Sequence, residues 1–112
     1  MPKPYYVIGH VSGIEDDNRP AFERARKRLE GASKAMCEIP HDLVPSDTPW
    51  PTAMLVSIHK LTSRSYPSME PTYRLALLEG WEASEGARLE KAVAEACGIP
   101  CKTVDEWLEE AR

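Results

Sequence analysis

Residues able to act together on one ligand cluster two-thirds of the way along the chain: glycines at Gly80 and Gly86, a serine at Ser84 and a carboxylate at Glu90. The apolar run Leu75-Ala76-Leu77-Leu78 leads into them and reads as a buried strand. Behind them Ala87, Leu89, Ala92, Val93, Ala96 and Cys97 recur at three- and four-residue intervals, which predicts a helix. A strand, a glycine turn and a helix start bring backbone N–H donors to a strand's carboxyl end, where Ser84 and the N–H groups near Gly86 suit a phosphate. Ser84 falls where the helix begins and can cap it. Glu90 should stand beside the apolar face, near the mouth of any crevice. The plainer reading is a cap and a solvated surface charge, and the pattern alone leaves both open.

The rest of the chain supplies elements to position this stretch. Tyr5-Tyr6-Val7-Ile8 reads as a buried strand, followed by a loop bounded by Gly9 and Gly13 that also carries His10 and Ser12. Glycine lets a ligand approach the backbone of such a loop closely. Asn18 should cap a helix with Pro20 in its first turn and Phe22, Ala25, Leu29 and Ala32 on one side. Residues 35–39 form a second strand. Thr48 should cap a helix over 50–61 that buries Met54, Leu55, Ile58 and Leu61. Residues 62–71 have loop chemistry throughout. Gly98 ends the third helix, residues 99–102 make a short strand, and Thr103 with Glu106 forms a capping box for a last helix carrying Trp107 and Leu108. The alternation predicts one domain over 1–112: an α/β fold, small and doubly wound like flavodoxin or Rossmann domains. Its sheet is mainly parallel, four- to five-stranded, with helices on both faces. Ligands of such sheets bind where the strand order reverses, so the loops after the first and third strands should share one crevice.

Several of these runs resemble one family. Gly80-Trp81-Glu82-x-Ser84-x-Gly86-Ala87-x-x-Glu90, Tyr6-Val7-Ile8-Gly9-x-x-x-Gly13 and Asn18-Arg19-Pro20-Ala21-Phe22 resemble motifs of a short domain family of unknown function, common in bacteriophages. That family lies within the nucleoside 2-deoxyribosyltransferase-like superfamily. The resemblance implies a helix-borne Glu, here Glu90, that attacks C1′ of a deoxynucleoside to give a glycosyl ester, resolved by water or a second base. It also implies phosphate contacts from the loop positions of His10 and Ser12. Tyr6 and Trp81 could wall or stack on the base, and a core or interface role stays open for each. One departure matters: the family's proton-carrying Asp, counted from Trp50 and Met54, falls on Ser57. A serine cannot protonate a departing base as a carboxylic acid can. Tyr66 or Glu70 could take its place if the 62–71 segment arched over the crevice.

Composition narrows the partners. A net charge of −4 with no basic face argues against a nucleic-acid polymer. Arg24, Arg26, Lys27 and Arg28 are flanked by Glu23 and Glu30. No apolar run can span a bilayer and no signal-peptide pattern opens the chain. Three cysteines without a CxxC fit reduced thiols in a cytoplasm. Cys97 and Cys101 lack further ligands at usable spacing, so no metal or cofactor is expected. The expected activity is N-glycosidic hydrolysis or transfer on a (deoxy)nucleoside or nucleotide monophosphate. The alternative is a nucleotide-binding module without turnover. The family resemblance further implies a homodimer or higher homo-oligomer.

Overall fold

The structure, a computed structural model, describes residues 2–111. Four short strands form one all-parallel sheet: β1 (Tyr5–Ile8), β2 (Cys37–Glu38), β3 (Arg74–Leu77) and β4 (Cys101–Thr103), in the order β2-β1-β3-β4. Helices α1 (Arg19–Ser33) and α4 (Val104–Glu110) cover one face, and α2 (Trp50–Leu61) with α3 (Glu85–Ala96) cover the other. The strands are short and nearly continuous in apolar side chains because both faces are buried. The chain steps from β1 outward to β2, then crosses to β3 on β1's other side. The strand order therefore reverses between β1 and β3, which pair over four residues from Tyr5 opposite Arg74 to Ile8 opposite Leu77.

Alternation along β1 divides the core in two. Tyr5 and Val7 pack with Phe22, Ala25 and Leu29 of α1 and with Val104 and Trp107 of α4. Tyr6 and Ile8 pack with Leu61 of α2 and with Ala87 and Ala94 of α3. Just beyond the two strands the chains stay close at Gly9, where a Cβ would meet the Leu78 Cβ at 2.8 Å. That glycine answers to packing.

Local signals explain some boundaries. Ser84 accepts the Ala87 N–H at 3.1 Å and starts α3, and Thr103 with Glu106 forms the capping box of α4. Two expected caps are otherwise engaged. Thr48 donates to the Pro45 carbonyl at 2.7 Å, and Pro49 occupies the cap position of α2. Asn18 donates to the His10 carbonyl at 2.9 Å and has a left-handed backbone. These short polar side chains bond to loop backbone instead.

Burial also departs from the periodicity. Ala32 is exposed, Leu55 is 74% exposed, and Met54 and Ile58 are half-buried. On α3 the inward residues are Gly86, Ala87, Glu90 and Ala94, while Leu89 is 45% exposed. The second strand is shorter than 35–39, and the fourth is Cys101–Thr103 where 99–102 was expected.

Candidate functional site

A cleft of about 750 Å³ opens beyond the carboxyl end of β1, between the turn that follows β2 and the start of α3. The loop after β1 contributes Gly9, His10 and Ser12 to its wall. The start of α3 contributes Ser84 and Gly86, and Ser57 of α2 and Glu90 of α3 line it from the side. Gly86 lets α2 and α3 approach closely: a Cβ there would meet the Met54 Sδ at 3.2 Å.

Glu90 is the unusual member. It is only 7% exposed and sits on the inward face of α3 between Ala87 and Ala94. Its Oε2 accepts a hydrogen bond from the Ser57 hydroxyl. Ser57 has one proton, so with that proton given to the carboxylate, the Tyr6 hydroxyl must be the donor in its 2.6 Å bond to Ser57. The result is a buried chain, Tyr6 to Ser57 to Glu90, ending on a carboxylate. Burial pushes the Glu90 carboxyl up to about 7, and the Ser57 hydrogen bond opposes that rise. Burial, with the nearby Glu90 charge second, also drives the Tyr6 phenol well above its ordinary range. Among the described residues Glu90 forms no ion pair. A carboxylate so placed lacks the counter-charge that usually accompanies burial.

Three residues take other positions than the binding wall foreseen for them. Tyr6 is fully buried behind Ser57, so its ring is out of reach of a ligand. Trp81 packs partly buried against the α2–α3 core, with the Lys91 ammonium 5.5 Å from its ring centre. It borders a different cavity, of about 670 Å³, together with Leu78 and Val104. Gly13 is exposed, outside the cleft lining, in a turn with φ of +81°. The 62–71 segment also stays away: neither Tyr66 nor Glu70 lines the cleft, and Ser65 and Glu70 close on one another through a 2.8 Å backbone bond.

Other residues reach the cleft without a sequence signal. The turn Pro40–Asp42 after β2 brings His41 there, its ring edge-on to Phe22 at 4.7 Å and its Nε2 donating to the Asp17 carbonyl at 2.8 Å. The Nδ1 atom of His41 is buried without a hydrogen-bond partner among the described residues. Arg26 anchors this turn to α1 by binding Asp42 at 2.5 Å and Glu23 at 2.7 Å. The turn Glu15–Asn18 adds Asp16 and Asp17, and Arg19 follows at the start of α1. A position at a parallel strand's carboxyl end was the only clue to His41.

The arrangement offers a carboxylate with Oε2 held and Oε1 without a hydrogen-bond partner among the described residues, in a water-accessible cleft of small-molecule size. No helix among the described residues is long and apolar enough to cross a membrane. Nothing among curated proteins or solved structures matches the chain. A family model, the domain of unknown function DUF4406, matches residues 3–103 and so takes in both cleft loops, Ser57 and Glu90. The chain belongs to the DUF4406 family.

Proposed function

We propose that the protein cleaves or transfers the N-glycosidic bond of a nucleoside or nucleotide, with Glu90 as the nucleophile. The observation that carries this reading is a carboxylate buried on α3, held by Ser57, and set in the cleft that opens beyond the end of β1. An ionised Glu90 attacks the anomeric carbon as the base departs, and the resulting ester is opened by water or a second base. Splitting the displacement through a covalent ester is how retaining glycosidases handle an oxocarbenium-like centre. The Ser57 hydrogen bond fixes the carboxylate's orientation, and the raised pKa keeps the group basic. We infer from the motif resemblance that the chain is related to the nucleoside 2-deoxyribosyltransferase-like superfamily.

A base-release assay across nucleosides and their 5′-monophosphates tests it. The wild type is expected to turn over at least one of them, and Glu90→Gln should lose about a thousandfold or more, as removal of a covalent nucleophile does. Undiminished turnover by Glu90→Gln would sink the assignment. We also propose assembly as a homodimer, supported by exposed Trp50, Leu55 and Leu89 on α2 and α3. Light scattering on the purified chain should give twice the monomer mass.

A further inference from the structure

We propose that Tyr6, which does not line the cleft, is a positioning residue for it. Acting through Ser57, it holds Glu90 Oε2 as an acceptor in both protonation states of the carboxyl. Oε1 is then the oxygen that attacks and, in the neutral form, the oxygen that carries the proton. The attack rests on the reading of Glu90 as nucleophile; the direction of the hydrogen bonds does not.

That direction follows from where each proton can go. Tyr6 is fully buried in the core, and its hydroxyl has one hydrogen-bond partner among the described residues, Ser57. An O–H buried without an acceptor is destabilising, so the phenol donates to Ser57 Oγ. A hydroxyl within a helix commonly donates to the carbonyl four residues back. Ser33 does so to Leu29 at 2.7 Å, and Thr62 to Ile58 at 2.7 Å. Ser57 makes no such bond among the described residues; its partners are Tyr6 and Glu90. With its oxygen accepting from Tyr6, its one proton goes to Glu90 Oε2. A neutral Glu90 protonated on Oε2 would set two protons against each other in that bond. The proton therefore sits on Oε1.

The three groups stand on three elements. Tyr6 belongs to β1, paired with β2 on one side and β3 on the other, where it lies opposite Glu38 and Leu75. Ser57 and Glu90 belong to α2 and α3, two helices that wall the cleft. The phenol thus ties the carboxylate to a central strand, the kind of element with the least freedom to open locally. Burial holds the phenol well above its ordinary pKa range, so it stays a donor while Glu90 titrates.

Fixing one carboxylate oxygen orients the other for attack. Oε1 bonds to the anomeric carbon as the C–N bond breaks, and that bond's electron pair leaves on the base nitrogen, which gains a proton from solvent. In the ester Oε2 is the carbonyl oxygen and still accepts from Ser57. Water then adds its oxygen to the anomeric carbon, the bond to Oε1 breaks with its pair returning to the carboxylate, and the spare proton of that water goes to solvent.

Two measurements on Tyr6→Phe, Ser57→Ala and the double variant test the proposal. The first is base release from the common 2′-deoxynucleosides and their 5′-monophosphates. Tyr6→Phe should lower kcat about thirtyfold and leave KM within about twofold. The double variant should lose no more than Ser57→Ala alone, because Tyr6 acts through Ser57. The second is difference infrared spectroscopy of the neutral Glu90 carboxyl, identified as the band that Glu90→Gln lacks. Glu38 and Tyr73 beside Tyr6, and the acids and histidines of the cleft, are common to all variants and cancel. The C=O stretch should move to higher wavenumber in Ser57→Ala, where its hydrogen bond is gone. It should move part of the way in Tyr6→Phe, where Ser57 is free to turn. Additive losses, or a change in KM with kcat intact, overturn the positioning role. A stretch unmoved in Tyr6→Phe overturns the placement of the proton, with no substrate needed. If Glu90→Gln keeps its turnover, or the wild type cleaves none of these substrates, the glycosidic reading falls and attack by Oε1 with it, while the infrared band still decides where the proton sits.

Discussion

Tyr5 and Tyr6 are consecutive, equally buried, and serve opposite ends. On its face Tyr5 meets Trp107 edge-on at 5.6 Å, with the Arg74 guanidinium 3.9 Å from its ring centre. The Trp107 indole N–H donates to the Leu75 carbonyl at 2.8 Å, tying α4 to the sheet. Here the aromatic bodies fill space and the polar tip of Trp107 finds backbone. On the other face Tyr6 leads through Ser57 to a carboxylate that forms no ion pair among the described residues. A Leu or Met at position 90 would be the cheaper choice for packing. A costly buried charge on a cleft wall is the kind of group that marks a candidate site.

The contrast can be broken in four places. Trp107→Ala should cost about 3–5 kcal/mol in chemical denaturation, by emptying a packed position. The folded fraction should keep its ligand affinity, and a selective loss of binding would erase the division between the faces.

Glu90→Gln should act in the opposite direction. Burial lifts the Glu90 pKa from 4.5 to about 7, so between those values the folded chain holds a proton that the unfolded chain has lost. Stability therefore falls as pH rises through that window. Glutamine keeps an acceptor for Ser57 without the charge. At pH 8 the variant should be more stable by up to about 3 kcal/mol, and near pH 4 the gain should vanish. A variant less stable than wild type at pH 8 would place Glu90 among the structural groups.

Tyr6→Phe removes only the hydroxyl and should cost about 1 kcal/mol. A loss beyond about 3 kcal/mol would mean that the Tyr6–Ser57–Glu90 chain holds the fold together. The smallest effect lies on the cleft rim, where Asp16 and Asp17 have left-handed φ of 55° and 53°. Replacing Asp17 with Gly should stabilise by about 0.5 kcal/mol, since relief of the backbone strain exceeds the added chain entropy.

How much of this was readable beforehand follows the range of each interaction. Helix α2 covers the expected 50–61, because the prolines at its start and the apolar spacing are local signals. The Ser84 cap and the Thr103–Glu106 box are local as well. The crevice followed from parallel topology. Glu90 was expected beside the apolar face near the crevice mouth, but the depth of its burial and the exposure of Leu89 were hidden, because periodicity ranks residues by polarity. Leu55 was misplaced for the mirror reason: an apolar residue on an outer helix face looks inward to any pattern. Tyr6 was left open between a ligand wall and the core because nothing in β1 tells which hydroxyl will meet it from α2, 51 residues away. His41 was passed over as loop, since its place in the cleft depends on Arg26 drawing Asp42 against α1.

The central claim is a covalent one, that Glu90 carries the sugar during turnover. Acid quenching during steady-state turnover of a cleaved nucleoside, followed by peptide mass mapping, tests it directly. A glycosyl mass on the peptide containing Glu90, absent from Glu90→Gln, is the predicted result. Turnover that leaves Glu90 unmodified, or a glycosyl group on another residue, would contradict it.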